Sequence, residues 1–63
     1  MKLITIGEAA EKSGFPEVIF RDFLRTGFKG APKIYFFDAN ERIEVGELET
    51  WLRYVRDSGQ PAK

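Results

Sequence analysis

Cationic side chains follow one another through the middle of the chain in an order that favours binding to phosphates. Arg21 and Arg25 are four positions apart, so on a helix they share one face. Lys29 and Lys33 follow in the next loop, and Arg42 lies in the element beyond it. Side chains of this kind in one stripe neutralise several phosphates of a nucleic acid, so the spacing predicts a phosphate-binding stripe. The alternative is a set of ordinary surface cations, some of them paired with nearby acids.

Two apolar residues, Val18 and Ile19, do not fit the buried face of the helix that carries the arginines. If exposed, they would contact thymine methyl groups or form a protein-binding patch. The alternative is that one of them belongs to the core, which a one-residue shift in helix phase would achieve. Asp22 lies between the two arginines. We include Val18 and Asp22 with the cations among the candidate DNA-contacting residues.

Two residue types that often carry catalysis, Cys and His, are absent from the chain. Their absence removes the usual nucleophile–base pairs and most structural zinc sites. An acidic set occurs later in the chain, but its spacing does not match a calcium-binding loop: Glu41, Glu44, Glu47 and Glu49. So short a chain also leaves no room for a cleft that positions acid–base groups. We expect no enzyme activity, no metal, no cofactor and no small-molecule substrate.

Charge and hydropathy restrict the choice of partner. The ten basic and ten acidic residues cancel, which argues against unspecific binding to polyanions but allows a local basic stripe. No apolar run approaches the roughly 20 residues of a membrane span. The first residues also lack the apolar region of a signal peptide. We therefore expect a cytoplasmic protein without a membrane partner.

The first half of the chain predicts two helices joined by a tight turn. Helix 1 is predicted over residues 6–13, because Thr5 and Glu8 have the spacing of a capping box. Gly14 supplies the left-handed residue that commonly follows the last turn. Helix 2 is predicted over residues 16–26, since it begins at a proline, which is favoured in the first turn, and ends before a second glycine.

The second half predicts a β-hairpin and a third helix. Residues 33–37 and 42–45 are rich in β-branched and aromatic residues. The residues between them form the connection, with Asn40 in a left-handed conformation. Helix 3 is predicted over residues 46–57, where apolar residues recur at i, i+3, i+4 and i+7. Residues 58–63 contain Gly and Pro without an apolar anchor, which predicts a flexible tail.

The order helix, turn, helix, hairpin and helix within residues 1–57 predicts one α+β domain. It is a small winged helix-turn-helix, with a β-hairpin wing between helix 2 and helix 3. The predicted core consists of Ile6, Ala10, Phe20, Phe23, Leu24, Trp51, Leu52 and Val55. The aromatic residues Trp51, Tyr35, Phe36 and Phe37 could instead stack on single-stranded bases. Because so small a domain needs aromatic packing, we interpret all of them as core.

Three segments of the chain form a pattern in a fixed order: Ile4-Thr-Ile-Gly-Glu-Ala-Ala10, Arg25-Thr-Gly27 and Glu47-Leu-Glu-Thr-Trp-Leu52. Together they resemble the excisionase-like branch of the MerR-type winged-helix family, which includes phage excisionases and small terminase subunits. The resemblance implies that helix 2 enters the major groove of double-stranded DNA and that the wing contacts the adjacent backbone. It also implies an excisionase, a recombination directionality factor or a small phage transcriptional regulator. The further partners would be an integrase or another copy of the chain on adjacent sites.

Two departures from the family pattern favour a different class of function. Helix 2 starts with Pro16-Glu-Val-Ile19, where the family usually carries Ser, Thr and Arg. The tip of the wing, Asp38-Ala-Asn-Glu41, is acidic instead of rich in Gly and Arg. With zero net charge, these features favour a protein-binding module, an inhibitor or adaptor, that has lost DNA affinity. The sign of the charge over helix 2 and the wing distinguishes the two hypotheses.

Overall fold

The computed structural model describes residues 2–58, which form three helices and a three-stranded antiparallel sheet. The elements are β1 (Leu3–Ile4), α1 (Ile6–Ser13), α2 (Glu17–Thr26), β2 (Tyr35–Phe37), β3 (Asn40–Glu44) and α3 (Val45–Ser58). β3 is the central strand, with β1 on one side and β2 on the other. The predicted α+β winged helix is therefore confirmed, and the β2–β3 hairpin is its wing.

α1 begins and ends where the sequence predicts. The Thr5 hydroxyl accepts a hydrogen bond from the backbone N–H of Glu8, and the Glu8 carboxylate accepts one from the N–H of Thr5, both at 3.0 Å. These bonds satisfy donors that a helix N-terminus otherwise leaves unpaired. The bond from the Thr5 backbone also lowers the pKa of Glu8. Gly14 follows the helix at φ 82°, a conformation that favours glycine.

α2 and α3 differ slightly from the predicted bounds. Pro16 precedes α2 with φ −58° and ψ 143°, so it flanks the helix instead of forming its first turn. α3 begins earlier than predicted because the Glu44 carboxylate accepts a hydrogen bond from the backbone N–H of Glu47 at 2.8 Å, which caps the helix. At the other end α3 includes Ser58. The rest of the predicted tail, residues 59–63, lies outside the described residues.

The sheet contains a strand, β1, that the sequence pattern indicates only as an apolar lead-in to α1. Leu3 lies opposite Glu44 and Ile4 opposite Ile43, in antiparallel register. A strand of two residues is too short to show the period-two alternation by which strands are recognised. Its pairing with β3 fixes the start of the chain against the strand that carries the wing.

The turn of the wing has two residues and not the predicted four. Asp38 (φ 52°) and Ala39 (φ 67°) form it, and Phe37 pairs with Asn40 beside it. The prediction that Asn40 is left-handed is wrong, because this residue begins β3. Two successive residues at positive φ are typical of a type I′ turn, whose twist matches that of the flanking strands. The strand register therefore outweighs the preference of asparagine for the left-handed region.

One core lies between the helices and the sheet. Its buried residues are Ile4, Ile6, Ala9, Ala10, Phe20, Ile43, Leu48 and Trp51. Four residues of the predicted core are only partly buried and pack against it: Phe23, Leu24, Leu52 and Val55. The core members missing from the prediction include Ile4 and Ile43, which face each other across β1 and β3. The alternation of Ile43 with Arg42 and Glu44 already predicts that Ile43 faces the dry side of the hairpin, whereas the burial of Ile4 depends on a strand pairing that the sequence does not reveal.

The aromatic residues of the chain divide into a buried and an exposed group. Trp51 is buried, and its Nε1 donates a hydrogen bond to the backbone carbonyl of Phe28 at 3.1 Å. Tyr35 is half-buried. The interpretation of Phe36 and Phe37 as core is wrong, because their exposed fractions are 69% and 63%. They lie next to the turn on an edge strand, where no described helix covers them.

Candidate nucleic-acid interface

α2 buries one side and presents the other to solvent. Phe20 is its buried side chain, and Phe23 and Leu24 pack partly against the core. On the opposite side, 74% of Val18 and 43% of Ile19 are exposed. The alternative that one of these two residues is part of the core is therefore wrong. An uncovered helix face beside a hairpin is the arrangement in which winged helices meet a DNA groove.

A groove of about 520 Å³ lies between α2 and the wing. The candidate residues Val18, Arg21, Asp22 and Arg25 line it from α2, and Glu41 lines it from β3. Helical spacing explains why all the α2 candidates meet here, since residues three and four apart are neighbours on a helix surface. We call the exposed face of α2 together with this groove the α2–wing surface.

Arg21 is held between two carboxylates on the α2–wing surface. Its Nε lies 3.1 Å from Glu17 Oε2, and its Nη1 lies 2.9 Å from Glu41 Oε1. The hydrogen bond to Glu41, and next the one to Glu17, raise the pKa of Arg21. The contact with Glu41 joins α2 to the wing, and the sequence could not indicate it because the two residues are far apart in the chain. Exposed ion pairs of this kind contribute little to stability, so a stronger anion can replace them.

Arg25 is also paired, in this case with Asp22 on the same helix. The two side chains are 73% and 55% exposed. Both arginines of α2 are therefore neutralised by acids on their own surface. The i+3 and i+4 spacings of the pairs within α2 are visible in the sequence, which is why surface pairing was an open alternative.

The candidate lysines lie in a different groove. Lys29 and Lys33 line an open groove of about 730 Å³ between the loop before β2 and α3, together with Trp51 and Tyr54. The expectation that so short a chain leaves no room for a cleft is therefore wrong. The Nζ atom of Lys29 lies 5.8 Å from the ring centroid of Phe28. The structure therefore does not bring the lysines into the groove that the α2 arginines line.

Arg42 is separate from both grooves. It lies on β3 next to Glu41, and successive side chains of a strand point to opposite faces. Its Nη1 donates a hydrogen bond to the Glu41 carbonyl at 2.8 Å, and its charge helps to lower the pKa of Glu8 on α1. The cations expected to form one stripe thus occupy three places on the molecule.

The acids around the start of α3 have structural roles. Glu44 caps the helix, and the backbone N–H groups of Glu47 and then Gly46 lower the pKa of its carboxyl group. The Tyr35 hydroxyl donates a hydrogen bond to Glu47, which raises the pKa of the tyrosine. Over residues 2–58, these and the other acids form no cluster arranged to hold a metal ion. In the same part of the chain, every helix is too short or too polar to cross a membrane.

The α2–wing surface combines exposed apolar residues with arginines that are neutralised nearby. This chemistry suits a polyanion that replaces the acids, or a protein that covers the apolar side chains. Comparisons with family models, with curated proteins and with solved structures give no significant match to the chain.

Proposed function

We propose that the chain binds double-stranded DNA by inserting α2 into the major groove and placing the β2–β3 wing on the adjacent backbone. The observation that carries the proposal is the uncovered face of α2 beside the wing, with Arg21 and Arg25 along it. The major groove admits an α-helix of this kind. Because of the three segments described above, we further propose a cytoplasmic excisionase, recombination directionality factor or small phage transcriptional regulator. Its further partners would be an integrase or adjacent copies on DNA.

Each residue of the α2–wing surface has a contact to make in such a complex. Arg21 and Arg25 exchange their carboxylate partners for phosphates or for the acceptor edge of guanine. Asp22 accepts a hydrogen bond from the amino group of cytosine, and Val18 contacts a thymine methyl group. Glu41 stays beside the backbone and weakens binding by like-charge repulsion.

A second candidate function is favoured by one observation, the 74% exposure of Val18 on a surface whose arginines are already paired. In this case the chain is a protein-binding module, and Val18 is an interface anchor that becomes desolvated in the complex. Neutralised arginines then border the apolar contact and do not attract a polyanion.

A panel of three variants distinguishes the two functions. Duplexes enriched at low salt from a random-sequence pool serve as the probe, and fluorescence anisotropy measures their binding. For a DNA-binding protein, Arg21→Ala and Arg25→Ala each weaken binding by about 1–3 kcal/mol if the residue contacts a base, and by less for a phosphate. Val18→Asp abolishes binding to a protein partner if the second function holds. Circular dichroism verifies that each variant folds.

The panel also has an outcome that overturns the assignment of α2. If the two arginine variants bind duplex as well as the parent does, at low and at moderate salt, α2 is not the helix that contacts DNA. If no duplex is enriched at low salt, the protein-binding function replaces the DNA-binding one.

A further inference from the structure

β2 is an exposed edge strand of three residues that lacks several of the other features that usually protect such an edge. It lies on the outside of the sheet, since β3 pairs with it on one side. Its residues Tyr35–Phe37 include no charged residue and no proline, and their pairing with β3 has no bulge. Soluble proteins normally use such features to prevent pairing between edges. Two large exposed side chains, Phe36 and Phe37, lie on this edge strand, so the apolar surface beside it is uncovered.

The register of the hairpin determines which backbone groups of β2 are free. Phe37 and Asn40 flank the two-residue turn, and the pair at this position is hydrogen-bonded in both directions. The next pair, Phe36 and Glu41, is therefore of the non-hydrogen-bonded kind, so the N–H and C=O of Phe36 point away from β3. Ile34 immediately precedes β2, and we infer that an extension of the same alternation by one residue directs its N–H and C=O outward. The edge thus offers a donor and an acceptor at each of two positions that are two residues apart.

We propose that this edge binds a second copy of the chain, with β2 antiparallel to β2 and the two Tyr35 residues opposite each other. In this register, Ile34 of each copy forms a hydrogen-bonded pair with Phe36 of the other copy. Every outward N–H and C=O at these two positions then has a partner. The two sheets become one continuous sheet, and the edge is no longer exposed.

The side chains fit this register. On one face, Ile34 lies beside Phe36 of the other copy, an apolar cross-strand pair. On the other face, Lys33 of each copy lies opposite Phe37 of the other copy and next to Asp38 of that copy. Each lysine therefore contacts an aromatic ring and a carboxylate, and the two lysines are kept apart. A register centred on Phe36 would pair Ile34 with Asp38, whose φ of 52° does not continue a strand. Zero net charge keeps the repulsion between two copies low.

The symmetry of the pairing has a structural consequence. A two-fold axis perpendicular to the sheet keeps each face on its own side, so both α2 helices lie on the same face of the joined sheet. The pairing itself does not rest on the proposed function, and the experiments below contain no DNA. Failure of the pairing and failure of DNA binding are therefore separate results.

Single cysteines test the register, since the chain contains no other cysteine. Tyr35→Cys places two thiols at a non-hydrogen-bonded pair, where Cα atoms lie about 4.5 Å apart and within disulfide range. Phe36→Cys is the matched control, because its two copies lie two residues apart along the strands, beyond the limit of about 7 Å. We expect mild oxidation to give a disulfide-linked dimer of Tyr35→Cys and no disulfide-linked dimer of Phe36→Cys. A disulfide-linked dimer of Phe36→Cys, or the absence of one for both variants, overturns the proposal.

Sedimentation velocity of the unmodified chain over a concentration series gives a second test that needs no thiol. We expect a reversible monomer–dimer equilibrium. Phe36→Pro removes the outward N–H and leaves the bonds to β3 intact, so the dissociation constant of the dimer should rise by about tenfold or more. Glu11→Gln, on the exposed side of α1, is the control and should leave the dissociation constant unchanged. A chain that stays monomeric throughout, or a folded Phe36→Pro that dimerises like the parent, overturns the proposal.

Discussion

Arg21 joins two elements through its carboxylate partners, Glu17 on α2 and Glu41 on the wing. All three side chains are partly exposed, so water and salt weaken the contacts. In a complex with DNA, Arg21 can leave the acids for a phosphate, whereas both carboxylates stay beside the polyanion. Under the proposed function, the acids of the α2–wing surface would therefore reduce the affinity for DNA.

The first prediction tests this effect at one residue. Glu41→Gln removes the charge and keeps the shape, so it frees Arg21 and reduces repulsion from phosphates. We expect duplex affinity at low salt to rise by roughly fivefold, and the gain to shrink as salt is added. Anisotropy titration measures the change. Glu11→Gln, on the exposed side of α1, is the control and should change little. Weaker binding by Glu41→Gln would mean that the Arg21–Glu41 contact holds the wing in its binding position.

The second prediction concerns Trp51, which is only 3% exposed and packs against the rings of Phe20 and Phe23. Trp51→Ala should lower the free energy of unfolding by about 3–5 kcal/mol, because it leaves a cavity in the core of a small domain. Trp51→Phe keeps a ring but loses the hydrogen bond to the Phe28 carbonyl. It should lower the free energy of unfolding by less than Trp51→Ala does. Urea denaturation followed by circular dichroism measures both. Equal stability of Trp51→Ala and the parent would contradict the assigned core.

At the scale of elements, short-range features could be predicted and long-range ones could not. The cap of α1 depends on Thr5 and Glu8, which are close in sequence, and its prediction is confirmed. β1 depends on pairing with a strand some forty residues later, for which no local signal exists. The exposure of Phe36 and Phe37 depends on the same topology, because composition alone does not distinguish an edge strand from a central one.

The third prediction follows from the turn of the wing. Ala39 has φ 67°, which is costly for a residue with a Cβ atom and free of strain for glycine. Ala39→Gly should therefore raise the free energy of unfolding by about 1 kcal/mol. Ala31→Gly is the control, because residue 31 is not in the left-handed region; there the added chain entropy should destabilise the protein. Thermal denaturation measures the stability of both variants. A destabilised Ala39→Gly would contradict the turn geometry.

The fourth prediction concerns the two carboxylates that cap helices, Glu8 for α1 and Glu44 for α3. Hydrogen bonds from backbone N–H groups lower the pKa of both below the ordinary value of 4.5. A lowered folded-state pKa contributes stability that is complete above the unfolded-state value and is lost as pH falls through the folded-state value. The free energy of unfolding should therefore decrease below about pH 4.5.

Glutamine variants identify the source of this acid sensitivity. Glu8→Gln and Glu44→Gln should each show a shallower decrease of stability between neutral pH and pH 3, since an amide does not titrate there. Glu11→Gln removes a carboxylate from the middle of α1 and serves as the control. Urea denaturation at a series of pH values gives the comparison. An unchanged pH profile in both cap variants would show that other acids cause the loss of stability.

At the scale of the whole molecule, the candidate cations are divided by the path of the loop before β2. Helical spacing correctly predicts that Arg21 and Arg25 share a surface. The direction of the loop could not be predicted, because it depends on left-handed residues such as Lys29 (φ 50°) and Gly30 (φ 74°). These conformations direct Lys29 and Lys33 to the groove beside α3. A duplex on the α2–wing surface therefore meets the two arginines first.

The last prediction uses salt to count the cations that DNA contacts. Each neutralised phosphate contributes about −0.9 to the slope of log affinity against log salt, so Arg21 and Arg25 together predict a slope of about −2. If Lys29, Lys33 and Arg42 also contact phosphates, the slope should be about −4.5. Arg25→Gln should make the slope shallower by about one, while the double variant Lys29→Gln/Lys33→Gln, as the control, should leave it unchanged. A steep slope that the lysine variant reduces would place the duplex across the groove beside α3, and would move the DNA-binding face away from α2.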